Sequence, residues 1–330
     1  MASSGADTSP SAVRQRLYDA AVQEGELVVW GPTTDTISKY YPEQFGKAFP
    51  GVRLTGLSDN QAPSKLLTEI ATGRYDADAL WWPYTGALPL LERGWLAQFS
   101  EAELAAFDVK VEEADFDRRA LRTANLVYGL IYDTRRVQPN ELPATWDDLL
   151  KPRWQGRVAG TSLLVPFLVA GVGMINGEAW ALDYARKLRD LKVTMVPDQV
   201  ISLDMLLRGE KDLLVNSPAF ALERKTTYHE PVEWHAVEPT FATQHVAVVL
   251  DKAAHPNAAR LWALWAASAE GQKSMDLGAF EVSARPEAPT TQARLLRDAG
   301  VGVTFERADM VTSRLALYNK VRPVLFGETQ

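Results

Sequence analysis

Leu142-Pro-Ala-Thr-Trp-Asp-Asp-Leu-Leu-Lys-Pro-Arg-Trp-Gln-Gly-Arg-Val158 is the stretch that decides how this chain is read. Pro143 and Pro152 each fix φ and remove a backbone donor, so they bracket a short helix over about Trp146 to Leu150. Thr145 is placed to cap that helix, with Asp148 three residues on as an imperfect capping box. Gly156 then releases the chain into a strand beginning near Arg157. No nucleophile, base or metal-ligand pattern lies in the stretch. It is a rigid connector, and the function rests on what it connects.

On its N-terminal side strands and helices alternate. Val13 to Gln23 has helical spacing and leads into the apolar run Leu27-Val-Val-Trp30, which reads as a buried strand. Thr36 to Phe49 reads as a helix closed by Pro50-Gly51, Val52 to Leu57 as a strand, and Ala62 to Thr72 as a helix ended by Gly73. Ala79 to Trp82 makes a third strand, followed by a helix over Leu88 to Arg93. Such alternation predicts parallel strands covered by helices. Val127 to Asp133 alternates and then turns. Beyond the connector come a strand at Arg157 to Ala159, helices at Pro166 to Gly173, Gly177 to Leu191 and Ser202 to Arg208, and a strand at Lys211 to Val215. Trp234 to Thr240 and His245 to Leu250 read as two strands joined at Phe241-Ala-Thr-Gln, and Asn257 to Ala269 as an apolar helix.

At 330 residues the chain is long enough for about two domains. With 46% hydrophobic and 23% charged residues it has ordinary globular composition. A net charge of −7 and a pI near 5.3 argue against nucleic acid or an anionic membrane as partner. The absence of cysteine excludes disulfides, thiolate metal sites and a cysteine nucleophile. No apolar run reaches the roughly 18 residues of a membrane span. Met1 to Ala12 lacks the basic start and apolar core of a signal peptide, and its small polar residues read as the spacer left when one is removed.

The Pro143–Arg157 segment resembles the P-x-T-W-x-D-L-L-x-P-x-W-x-G-K/R signature of the iron(III)-type extracellular solute-binding proteins of ABC importers. Three further blocks resemble the same family in the same order. Glu24-Gly-Glu-Leu-Val-Val-Trp30 is followed by Phe45 to Val52. Ala77-Asp-Ala-Leu-Trp-Trp82 is followed by Leu90 to Leu96. Ala254-His-Pro-Asn-Ala-Ala259 precedes Ser268 to Gln272. The resemblance spans roughly Glu24 to Pro286. It implies an α/β, two-lobed periplasmic-binding-protein type II fold with two crossing hinge strands, placed near Thr123–Tyr128 and Glu238–Val246. It divides the chain into a tail and leading helix (1–23), the first lobe (24–125), the second lobe (126–240), a return to the first lobe (241–285) and C-terminal helices packing on the lobes (286–330). It further implies a small-molecule ligand in the cleft, a membrane ABC permease as transient partner, a periplasmic or extracellular location, and a monomer.

Ligands of such α/β units sit outside the carboxyl ends of strands, at helix N-termini. Trp30 closes the first strand there, and Gly31-Pro-Thr33-Thr34-Asp35 follows it. Iron binders of the family often carry a metal-binding His about here; this chain has Thr33, Thr34 and Asp35, which serve equally well as helix caps. Ser58-Asp59-Asn60-Gln61 follows the second strand, and Asp59 either caps the next helix or holds a ligand. After the third strand, Trp81 and Trp82 must point to opposite faces, one into the core and one outward. The resemblance favours Trp82 and Tyr84 as cleft residues. In the second lobe, Gly160-Thr161-Ser162 matches the family position where hydroxyls and backbone N–H groups hold an anion. Asn216 and Ser217 follow another strand. Iron-binding relatives carry paired tyrosines shortly after an Asn at this point, because phenolates are the hard anionic donors that ferric iron needs. Here Ala219-Phe220 stand instead.

The four histidines, at positions 229, 235, 245 and 255, show no paired ligand spacing, so no metal site and no cofactor is expected. There is no nucleophile elbow and no phosphate loop, and Gly171 to Gly177 only approximates a dinucleotide fingerprint. The expectation is a binding protein for a small, anion-bearing organic molecule and not an enzyme. Ferric iron or an iron chelate is the alternative, and an enzyme on the same fold, with Asp35 or Asp59 as its titratable group, is a third.

Overall fold

The computed structural model describes residues 7–32, 35–279, 282–285 and 291–328. The strands in chain order are β1 (Glu26–Gly31), β2 (Arg53–Ser58), β3 (Ala79–Pro83), β4 (Ala120–Val127), β5 (Gly129–Asp133), β6 (Val158–Thr161), β7 (Thr194–Val196), β8 (Leu213–Asn216), β9 (Val232–His235), β10 (Thr240–Val249), β11 (Val282–Ser283) and β12 (Val303–Phe305). The chain forms two compact units, one of residues 1–124 and 244–290, the other of 125–243 and 291–330. It passes between them inside β4, inside β10 and a third time at 290–291.

In the first unit, β1, β2 and β3 run parallel with β1 in the middle, and β10 joins β3 antiparallel. One face of this sheet carries Leu27, Val29, Ala79, Trp81, Ala247 and Val249 into a core shared with the helices Tyr41–Ala48 and Pro256–Ala267. Tyr41 is the hub of that core. Its ring meets Trp81, Trp262 and Trp265 edge-on, with centroids 5.6, 5.6 and 6.3 Å away. Such edge-to-face pairs add about 0.5–1.5 kcal/mol each to the area they bury. The N-terminal helix, Pro10–Glu24, starts earlier than its apolar spacing indicates, because Ser9 caps it and Pro10 suits its first position.

In the second unit the sheet order is β7-β6-β8-β5-β9. β7, β6 and β8 are parallel, and β5 is antiparallel to both β8 and β9. The helix Leu164–Asn176 is buried along most of its length, with Val165, Leu168, Val169, Ala170 and Val172 in the core. Gly171 is needed in it because a Cβ there would lie 2.5 Å from the ring of Phe241. The C-terminal helix Val311–Phe326 packs on this helix and on Glu178–Asp190 through Leu317, Val321 and Leu325. Within the same unit Arg314 and Glu306 pair with no solvent exposure, and the Glu306 N–H donates to Ala242 O at 2.8 Å.

Several expectations are corrected. The connector holds no helix over Trp146 to Leu150, only single 3₁₀ turns at Asp148–Leu150 and Pro152–Trp154. Thr145 and Asp148 do cap each other, backbone and side chain. Lys151 is held extended (ψ 144°) before Pro152, as its ring requires, so the turn cannot grow. Trp146 and Trp154 are both buried, and Trp146 Nε1 donates to Pro239 O at 2.9 Å. The supposed joint at Phe241–Gln244 is the interior of one ten-residue strand, β10, in which Phe241 and Ala242 pair with β12. Residues 218–227, to which the spacing assigns no element, form a helix. Ser217 caps it and Pro218 opens it.

His245 lies in β10, stacked on Trp81 with centroids 4.6 Å apart. Burial pushes its imidazole from an ordinary value of 6.5 down to about 4. Above 6.5 the ring is neutral in both folded and unfolded chains and contributes nothing to pH dependence. Below that value the unfolded chain binds a proton that the native chain refuses until about 4. Stability therefore falls as pH drops through this window, by up to about 3 kcal/mol. Urea unfolding of His245→Gln should show a flatter stability profile between pH 6.5 and 4 than the parent; parallel profiles would remove His245 as the cause.

Candidate functional site

The first unit's contribution is set by strand alternation. Trp30 lies opposite Leu57 on β2 and Leu80 on β3, while Trp82 lies opposite Val246 on β10. Trp30, Leu57, Leu80, Trp82, Val246 and, two residues on, Gln244 therefore share the sheet face away from the tryptophan-rich core. Trp30 and Gln244 are buried, and among the described residues neither the indole N–H of Trp30 nor the amide oxygen of Gln244 has a hydrogen-bond partner. Leu57 is exposed and Trp82 half-buried at the carboxyl ends of their strands. Gly86, in the helix Tyr84–Glu92, gives the Trp82 ring its seat. A Cβ there would stand 2.2 Å from Trp82 Cδ1.

Other expected positions in this unit have local duties. Thr33 and Thr34 lie outside the described residues. Asp35 is exposed, and its side chain does not cap the helical turn that follows it. Asp59 accepts from Gln61 N at 2.7 Å and pairs with Lys65, and these contacts hold its carboxyl below the usual range, the Lys65 bond first. Gln61 is exposed at the start of Ala62–Ala71, and Ser58 is half-buried at the end of β2.

Tyr84 is fully buried. Its hydroxyl donates to Asp115 and accepts from Arg122 Nε at 3.1 Å, while Arg122 grips both oxygens of Asp115, at 2.6 and 2.7 Å. Burial, followed by the Asp115 charge, raises the phenol far above its ordinary value, so Tyr84 stays neutral. Nothing in the sequence spacing marks Asp115, Arg122 or Gln244, which come from distant segments.

The second unit gathers polar groups more tightly. Thr161, Val196 and Asn216 end the parallel strands β6, β7 and β8, and each strand is followed by a helix: Leu164–Asn176, Gln199–Leu207 and Pro218–Thr227. Each helix start has a side-chain cap. Thr161 Oγ1 accepts from Leu164 N at 3.0 Å, Asp198 from Val200 N at 2.6 Å, and Ser217 Oγ from Phe220 N at 3.4 Å. Ser162 ties β6 to β7 by donating N and Oγ to Val196 O, at 2.9 and 3.3 Å. Asn216 is held on three sides. Its Oδ1 accepts from Ser217 N at 2.8 Å, its Nδ2 donates to Gln199 Oε1 at 3.4 Å, and its carbonyl receives the Trp234 indole at 3.3 Å.

Thr161, Ser162, Gln199, Asn216 and Ser217 are neutral and lie beside the N-termini of the Leu164–Asn176 and Pro218–Thr227 helices, whereas the third helix start carries the exposed Asp198 carboxylate. Leu163, Val200 and Ile201 stand exposed beside them. Phe220 is buried directly after the Asn216–Ser217 turn and offers no donor atom. Among the described residues no three His, Asp or Glu side chains converge as a metal site would require.

Parallel strands whose carboxyl ends meet helix N-termini, repeated in two units joined through two strands, define a type II solute-binding fold. The chain belongs to the bacterial extracellular solute-binding proteins, whose family model matches residues 30–273. These proteins bind small ligands and dock on ABC permeases. Among solved structures it is similar to iron-bound HitA from Pseudomonas aeruginosa, at 20% identity and TM-score 0.72, over 90% of this chain and 99% of that one. It is also similar to the substrate-binding protein of an ABC transporter from Agrobacterium tumefaciens (18%, TM-score 0.74, 91% and 94% covered) and to the ferric binding protein from Campylobacter jejuni (15%, TM-score 0.71, 89% and 99%). No sequence match is found among curated proteins. No helix among the described residues is long and apolar enough to cross a membrane.

Gly86→Ala should drive the Trp82 ring off its seat. The expected result is a loss of about 1–3 kcal/mol, as for overpacking elsewhere, with a changed near-ultraviolet circular dichroism band. An unchanged spectrum and stability would show that the ring does not rest there.

Proposed function

We propose that this protein captures a small organic ligand bearing an anionic group, holds it by closure of its two lobes, and delivers it to a membrane permease without chemical change. The observation that carries the ligand class is the edge formed by Thr161, Ser162, Asn216 and Ser217. It combines neutral hydroxyl and amide groups with the starts of the Leu164–Asn176 and Pro218–Thr227 helices, a setting that favours an anion, while Asp198 holds the third helix start. Phe220 beside it removes the phenolate chemistry that bare ferric iron demands. On the first unit, Trp30 and Trp82 supply aromatic area for the remainder of the molecule, and Gln244 an unused acceptor. Closure is selected because a ligand touching both lobes binds the closed state better than the open one. The working location is periplasmic or extracellular, and the working form a monomer.

A second reading is favoured by the similarity to iron-bound HitA and to the ferric binding protein of Campylobacter jejuni. In it the cargo is ferric iron carried as a chelate, whose carboxylates would use the same anion-favouring edge.

Thermal melting against amino acids, phosphonates, phosphate, aromatic and aliphatic carboxylates, polyamines, thiamine and ferric citrate tests both. A ligand at 100 times its Kd stabilises the native state by about 2.7 kcal/mol. The expected result is a shift confined to one class of organic anion, weakened in Trp82→Ala by more than about 1 kcal/mol. A shift with ferric citrate alone would select the second reading, and a coloured complex with uncomplexed ferric ion would overturn the anion site. Phe220→Tyr by itself is expected to create no iron binding, since one phenolate is too few donors.

A further inference from the structure

A cavity lies within the second unit, away from the carboxyl ends of β6, β7 and β8. It has a volume of about 540 Å³ and is lined by Trp146, Asp147, Asn176, Trp180, Glu238 and Pro239 among others. Asn176 ends the 13-residue helix whose start adjoins Thr161. At 1.5 Å per residue the cavity is roughly 20 Å from the Thr161–Asn216 edge. It therefore lies apart from the strand-end edge of its own unit.

Its walls are built rather than incidental. The Trp180 ring, which lines the cavity, stacks on the buried Tyr184 ring, centroids 4.6 Å apart and 12° from parallel, so the indole is held in place. The Tyr184 hydroxyl donates to Trp146 O at 2.7 Å. Backbone bonds from Trp146 N to Glu238 O, at 3.2 Å, and from Glu238 N to Ala144 O, at 2.9 Å, lock the segments that carry Asp147 and Glu238 side by side.

The two carboxylates are the second feature. Both are exposed, and neither forms an ion pair among the described residues. Their neighbour Asp148 is by contrast paired with Lys151. Lys187, close enough to feel the Asp147 charge, is itself paired with Asp183 at 2.7 Å. An aromatic residue beside two carboxylates that make no ion pair among the described residues, in a space the size of a small-molecule site, suits a weakly hydrated organic cation. A compact ammonium keeps its water and gains less from an indole face. A methylated one gains both the ring and the charge.

The geometry points to a binding site for quaternary or methylated ammonium compounds, formed by Trp180, Asp147 and Glu238. Choline and its uncharged isostere 3,3-dimethylbutan-1-ol, titrated into the whole protein and followed by isothermal calorimetry and ligand-observed magnetic resonance, test it. Choline is expected to bind at least about 10-fold more tightly than the alcohol. Asp147→Asn and Glu238→Gln should each weaken choline at least about 3-fold, and Trp180→Ala at least as much, while Trp82→Ala leaves it unchanged. Asn and Gln preserve shape, so the carboxylate variants keep the fold even if Trp180→Ala does not. Equal binding of the two probes, no choline binding at tens of millimolar, or binding lost in Trp82→Ala but kept in both carboxylate variants would each overturn the assignment.

Discussion

Consecutive side chains of a strand leave on opposite faces, and in this protein that constraint acts most strongly at Trp81 and Trp82. Trp81 goes to the core, where Tyr41 meets it edge-on. Its indole N–H donates to Thr123 Oγ1 at 2.9 Å, and the Thr123 hydroxyl donates on to His245 O at 3.1 Å. Thr123 lies in β4 and His245 in β10, the two strands in which the chain passes between units. One buried indole thus ties a central strand to both connecting strands. With Trp81 committed to the core, Trp82 has only the other face, beside Trp30 and Gln244.

The second unit solves a different problem with the same parts. Its three parallel strands end in a row, and each must hand over to a helix whose first N–H groups need partners. Thr161, Asp198 and Ser217 meet that need for one donor apiece. The remaining donors and dipoles of the Leu164–Asn176 and Pro218–Thr227 helices end at this edge, and Asp198 sets a carboxylate at the third helix start. Leu163, Val200 and Ile201 stand exposed on the same edge.

Capping and binding compete for the same short polar residues, which limits how much of the site is legible in a sequence. Asp59 is committed to Gln61 N and Lys65. Tyr84 is enclosed by Asp115 and Arg122 and presents no hydroxyl to a ligand. Asn216 could be placed at a strand end from the pattern, yet its partners Gln199 and Trp234 lie 17 and 18 residues away on other elements. Gln244 was hidden because β10 looks broken at Phe241–Gln244 when its pairing with β12, some 60 residues on, is not known.

The sequence by itself determined the strand–helix alternation, the position of the capped turn at Thr145–Asp148, the opposed fates of Trp81 and Trp82, and the loss of phenolate donors at Phe220. The first three follow from covalent geometry or local periodicity, which need no distant partner, and the last from the resemblance to iron-binding relatives together with the absence of a donor atom in phenylalanine. Only the tertiary structure decided that residues 240–249 are one strand, that Tyr84 is buried against an ion pair, and that Trp146, Trp180 and Glu238 line one cavity. Those outcomes depend on burial and on hydrogen bonds between segments far apart in the chain, where the free energy of contact outweighs any local preference.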